Sequence, residues 1–268
     1  MDEKELLKVG VESALKPFAN LLERLFGGSV DEIGGMWQAS FRARRIVRQA
    51  KLFAKVQEEL KRMGVEPQRV PDKISIPILQ ATSVEDDEYL QDRWAALLAN
   101  AANPATAESI QASFPDILRQ LTRNDAVFLD AIYEYVRTQG RTPRLHQPEA
   151  PPDPLEVESL EIGCDVTMLS IFADAGLASS PWRELLQNMG KPLSASAARE
   201  LTGFRVALLT LRRLQLVSTR LEIKTGATWE SIGEVDQEEK FYLTVLGCEF
   251  VRACSPATPG SQPKPHAE

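Results

Sequence analysis

The sequence predicts a mostly α-helical protein: a helical bundle followed by a small winged-helix-like α/β module with a two-stranded hairpin. Three observations carry this expectation. Through most of the first 140 residues apolar side chains recur at spacings of three and four, the pattern of helices with one buried face. Five prolines (Pro143, Pro148, Pro151, Pro152 and Pro154) then crowd a short stretch after Gly140 and mark a linker. Beyond it come a helix, a turn, a second helix and two alternating apolar segments, which is the order of a winged helix. At roughly 150 residues per domain, 268 residues make between one and two domains. The expected division is a bundle over 1–140, a linker over 141–154, the winged module over 155–254 and a proline-rich disordered tail over 255–268.

Each element has its own signal. Leu7, Val11, Ala14, Leu15, Phe18, Leu22 and Leu25 define one face of a first helix that Pro17 should kink. A longer helix runs from about Met36 to Met63 on a seam of Phe53, Val56, Leu60 and Met63, with Gly64 as its C-cap and Pro67 beyond. Lys73 to Ala81 contains Pro77 and reads as a broken helix. Ser83 reads as the N-cap of the next helix, with Glu85, Asp86 and Asp87 in its first turn and Leu90, Trp94, Leu97, Leu98 and Ala101 facing inward. Pro115 to Leu121 makes a short helix, and Thr122 caps another that carries Ala126, Leu129, Ile132 and Val136. In the second part, 194–200 and 204–214 read as helices separated by a turn at Thr202-Gly203. Val217 to Ile223 and Phe241 to Leu243 read as strands, and Thr244 caps a last helix through Val251.

Composition excludes several classes of function. Net charge is −7, which argues against a chain whose main role is coating nucleic acid or anionic lipid. The three cysteines (Cys164, Cys248 and Cys254) are odd in number and lack metal-type spacing, so a reducing, cytoplasmic setting is expected, without disulfides or zinc. Two histidines, His146 in the linker and His266 in the tail, leave little material for a hydrolytic triad. The acidic start Met1-Asp2-Glu3 is unlike a signal peptide, and no apolar run is long enough to span a bilayer. Neither a Walker-type nor a dinucleotide-binding glycine pattern is present. No catalytic residue, cofactor or metal is expected.

Two charged clusters remain. Arg44, Arg48, Lys51 and Lys55 share one helix face, in a segment from Met36 to Met63 that carries eight basic residues against two acidic ones. This stripe is the candidate interaction surface. It suits phosphate, anionic headgroups or an acidic partner, and its plainer reading is a solvated face answered by this chain's own acids, with Glu85, Asp86 and Asp87 the nearest rich source. Glu85, Glu88 and Asp92 also share a face, but acids at a helix start are what the helix dipole favours, so a metal role is not expected. In the winged module Arg205, Arg212 and Arg213 could face DNA. From Lys191 to Cys254, however, nine basic residues meet eight acidic ones, and Glu230, Glu234, Asp236, Glu238 and Glu239 crowd the wing. A protein partner, or a second copy of this chain, is therefore the expected contact. DNA is the rival reading, and a membrane-active N-terminal helix is disfavoured because its polar face mixes Lys and Glu.

One stretch is more specific than any of these patterns. Val65-Glu66-Pro67 is followed by Ile74 to Leu79 around Pro77, then by Ser83, the acids 85–88 and Trp94-Ala95-Ala96-Leu97-Leu98-Ala99-Asn100. With Phe114-Pro115-Asp116-Ile117-Leu118 and the closing Tyr242 to Phe250, the sequence resembles the Abi-alpha family. The similarity covers roughly Gly34 to Val136 and that C-terminal segment. Ser83, Trp94 and Asn100 mark its structural motif. The resemblance implies a role in bacterial abortive phage infection and supplies no catalytic residues.

Overall fold

A computed structural model describes residues 16–26, 43–138, 160–178, 195–223 and 237–256; the side chains of 43–46, 160–166, 221–223 and 237–238 lie outside that description. The chain divides into two compact units, 1–120 with 252–268 and 121–251.

In the first unit a 3-10 turn (Lys16–Phe18) leads into α1 (Ala19–Phe26), whose Leu22 and Leu25 are fully buried. Next comes α2 (Ala43–Met63), which buries Leu52, Phe53, Val56 and Leu60. It ends as expected at Gly64, which takes φ +66. Val65 N–H bonds the Leu60 carbonyl and Gly64 N–H the Lys61 carbonyl, a Schellman closure that favours glycine at the left-handed position. The following helix, α3 (Asp72–Thr82), continues through Pro77. The bond Pro77 cannot donate would have gone to Lys73, in the exposed first turn, where water can replace it.

The centre of this unit is α4 (Glu88–Ala102), buried from Trp94 to Ala102 without a break. A helix apolar or small around most of its circumference must be enclosed, and α2 and α3 both pack on it. Its N-cap is not Ser83. Asp87 accepts from Leu90 N–H at 3.0 Å, while Ser83 caps the end of α3 and its Oγ donates to the Gln80 carbonyl. A 3-10 turn (Ala107–Ser109) and α5 (Phe114–Leu118), which packs on α3, complete the first unit before the chain leaves it.

The second unit opens with α6 (Arg123–Thr138). Thr122 caps it as expected: Asp125 N–H donates to Thr122 Oγ1, and Asp125 Oδ2 accepts in return from Thr122 N–H at 2.8 Å. Then follow β1 (Leu160–Cys164), α7 (Asp165–Asp174), α8 (Ala195–Arg213), β2 (Val217–Ile223), β3 (Gln237–Leu243) and α9 (Val245–Ala253), the last of which returns the chain to the first unit at Arg252. The expected β2–β3 hairpin pairs antiparallel from Val217 opposite Leu243 to Ile223 opposite Gln237. A third strand, β1, was not expected. It pairs with β3 on the other side, Leu160 opposite Leu243, with a bulge between Glu161 and Gly163, so the sheet order is β1-β3-β2. Phe128, Phe172 and Phe204, one from each long helix of this unit, meet edge to face with centroids 5.1–5.9 Å apart.

One further expectation changes. Instead of two helices with a turn at Thr202-Gly203, α8 is a single helix. One interior glycine costs only about 1 kcal/mol against alanine, and the unbroken helix keeps Phe204, Ala207, Leu208 and Leu211 together in the core. By its contacts α6 packs with β1, α7 and α8, and the second unit so grouped opens near residue 121 and ends inside α9. The linker, the tip of the hairpin, His146, His266 and the tail beyond Pro256 lie outside the described residues.

Candidate interaction surface

The direction of α2 along α4 decides what the basic stripe meets. Arg48 lies beside the turn before α4, and Lys55 beside the helix itself. The guanidinium of Arg48 donates to the Val84 carbonyl at 3.2 Å and stands 3.7 Å from the Asp86 carboxylate. Lys55 Nζ bonds Asp92 Oδ1 and lies 3.9 Å from Glu88 Oε1. Both cations are largely covered, with Arg48 27% and Lys55 23% exposed, whereas Asp86, Glu88 and Asp92 are all more than half exposed. In both, the charged head reaches an acid of the turn before α4 or of α4 itself. At these two positions the outermost charged groups are therefore carboxylates. Lys51 is exposed between them and has no ion pair among the described residues. The side chain of Arg44 lies outside those residues.

The acidic cluster is divided among local tasks. Glu85 accepts the backbone N–H groups of Asp86 and Asp87, both at 3.0 Å, Asp87 caps α4, and Glu88 and Asp92 face Lys55. Among the described residues no three His, Cys, Asp or Glu side chains gather as metal ligands.

The signature residues have structural tasks. Trp94 is 1% exposed, in the core as its spacing predicts, although its indole N–H has no partner among the described residues. Asn100 is 4% exposed, and its side-chain amide donates to the Ala253 carbonyl at 2.8 Å and the Ser255 carbonyl at 3.0 Å. Two turns earlier on α4, Arg93 donates to the Cys254 carbonyl and to Ser255 Oγ. The carbonyls at the end of the last helix thus receive donors from α4. A fixed cation there also suits the negative helix end. Sequence reasoning did not connect Arg93 and Asn100 with the C-terminal segment, and only their unexplained polarity inside an apolar helix pointed to a task.

A second surface lies on α8. Arg199, Thr202, Arg205, Val206, Leu209 and Arg213 are exposed, opposite the buried Phe204, Ala207, Leu208 and Leu211. Arg212 is engaged, donating to Thr219 at 2.9 Å and paired with Glu239 at 3.3 Å. Against known proteins, the model of the family described as "Abortive infection alpha" matches residues 47–254, well over half of the chain. The chain belongs to the Abi-alpha family. No curated protein and no solved structure matches it. The Abi-alpha match takes in both compact units, from within α2 to one residue past α9. Arg48, Lys51, Lys55, Ser83, Trp94 and Asn100 fall inside it, and Arg44 does not.

Proposed function

We propose that this Abi-alpha chain acts in the cytoplasm in abortive phage infection as an interaction protein, without a chemical step of its own. The observation that supports this reading is how the signature is used. Asp87, Trp94 and Asn100 respectively cap, fill and staple the first unit, so what distinguishes the sequence serves the fold, and a surface is left to meet a partner. The candidate basic contact is the α2 stripe, with Lys51 and Arg44 the cations through which it would reach an acidic protein or a second copy of the chain. Reversing Arg44 and Lys51 to Glu, with the engaged Arg48 left in place, in cells challenged with phage tests this. Loss of protection with an unchanged melting temperature supports the contact, because exposed charges add little to stability. Full protection with an unchanged melting temperature rejects it.

A second reading has its own observation. The sheet order β1-β3-β2, with β1 between α6 and α7 and with α8 just before the hairpin, is that of a winged helix, in which α8 would be the helix offered to the major groove. Against it stands the near balance of charge in that segment. Binding of the full chain to a random duplex pool between 50 and 200 mM salt decides. A protein neutralising six to ten phosphates loses about 10³–10⁵ in affinity over that range. Selective enrichment at 150 mM salt would establish the DNA reading. A third idea, a membrane-active effector, gains no support: Leu21, Leu22 and Leu25 of α1 are buried, and no helix among the described residues is long and apolar enough to cross a membrane.

A further inference from the structure

Among the described residues, α8 is the helix whose outward face exposes two large apolar side chains together. Val206 and Leu209 stand 57% and 60% exposed, three residues apart at its centre. Arg199 and Arg213 extend the stripe at either end and Arg205 flanks it, all exposed. The helix carries a single acid, Glu200, which is only partly exposed and lies off this face. On the other flank sits Gly203, also exposed. Glycine is the poorest interior helix residue short of proline, and here no packing explains it, since a Cβ built at Gly203 would meet nothing within 4 Å. An exposed helix that gives up stability to remain bare at one point permits another backbone to come close there. An apolar centre with an arginine border is also the anatomy of protein contacts, in which apolar anchors exclude water and arginine is enriched.

We infer that this face docks an acidic amphipathic helix of a partner protein, its apolar seam on Val206 and Leu209 and its carboxylates toward Arg199, Arg205 and Arg213. Charge complementarity selects the acidic partner. The apolar centre disfavours nucleic acid, because phosphates reward cations and gain nothing from two exposed aliphatic side chains. The inference rests on the interaction reading above, but names a second surface and adds an apolar seam to the acidic partner's chemistry.

The test uses the full chain and a labelled helical peptide with a leucine seam bordered by glutamates. A control peptide of the same charge carries serines in the seam, and a short random-sequence DNA duplex is the third probe. The leucine peptide should bind at about physiological salt, and the serine peptide should not. Val206→Ser with Leu209→Ser should weaken binding by about tenfold or more, as loss of central apolar contacts does, without lowering the melting temperature. Gly203→Ala should raise the melting temperature, because alanine favours the helix and meets no obstacle, yet weaken the peptide. A purely structural glycine would not couple the two in that way. Equal binding of the two peptides overturns the proposal, as does unchanged peptide binding by Gly203→Ala. Duplex binding that survives the two serines and is lost with Arg205→Glu and Arg213→Glu assigns the face to nucleic acid instead. These measurements need no phage, so failure of the defence reading, scored as unchanged plating on expressing cells, is separate from failure of the peptide to bind.

Discussion

Two glycine-like positions flank the hairpin of the second unit, and only one of them is occupied by glycine. Gly247 sits in α9 directly over the end of α8, where an added Cβ would come within 2.3 Å of the Leu216 carbonyl oxygen and 2.9 Å of Leu243 Cδ1. The first of these is backbone and cannot turn aside. Gly247→Ala should therefore lower the melting temperature markedly, with overpacking of this kind costing typically about 1–3 kcal/mol. The converse holds at Gln215, which ends α8 at φ +59. Its N–H bonds the Arg212 carbonyl and Leu216 N–H the Leu211 carbonyl, the same closure that Gly64 makes after α2. A side chain in the left-handed region costs roughly 1–2 kcal/mol, so Gln215→Gly should stabilise the protein in a denaturant titration, less the greater freedom glycine gives the unfolded chain. Trp94→Ala should cost about 3–5 kcal/mol, and an unchanged melting temperature would contradict its burial. Trp94 was legible because its apolar neighbours repeat with the helix. The staple made by Asn100 was not, because its partner Ala253 is 153 residues away and no local pattern announces it.

At the scale of elements, the start of α4 shows where sequence patterns divide. Ser83, Glu85, Asp86 and Asp87 are all residue types that stabilise a helix start, and the spacing of the apolar face does not choose among them. Geometry does, and Asp87→Ala should cost about 0.5–2 kcal/mol as loss of an N-cap, clearly more than Ser83→Ala, as read from paired thermal melts. Strand β1 was missed for a related reason. It is five residues long, interrupted by Gly163 and followed at once by α7, so its apolar residues merged into one run with those of the helix. The pairing of β3 on both edges supplies what the local sequence does not. Thr202-Gly203 erred in the opposite direction, because a turn signal of modest strength sits in a helix that burial of four apolar residues holds together. The α2 stripe was legible as a set of residues sharing a face, but what answers it was only partly so. Asp86 comes from the turn before α4 and Glu88 and Asp92 from α4 itself, and which acids face which cations follows from how α2 and α4 run past one another.

Seen whole, the chain interrupts its first unit to build its second. It leaves the first near residue 121 and returns at Arg252, and the returning carbonyls of Ala253, Cys254 and Ser255 are those that Asn100 and Arg93 hold. A chain stopped after Val251 should lose stability, because removing the partners of a buried amide costs about 1–3 kcal/mol. The change should appear in hydrogen exchange around α4, where protection should fall. The interruption also sets an order in time. A ribosome delivers α1 to α5 before the second unit, but the segment that satisfies Asn100 emerges after every residue of that unit. Until then Asn100 is without those acceptors. The unit begun first is thus the unit finished last, and a prematurely terminated product can hold a finished second unit beside an unfinished first.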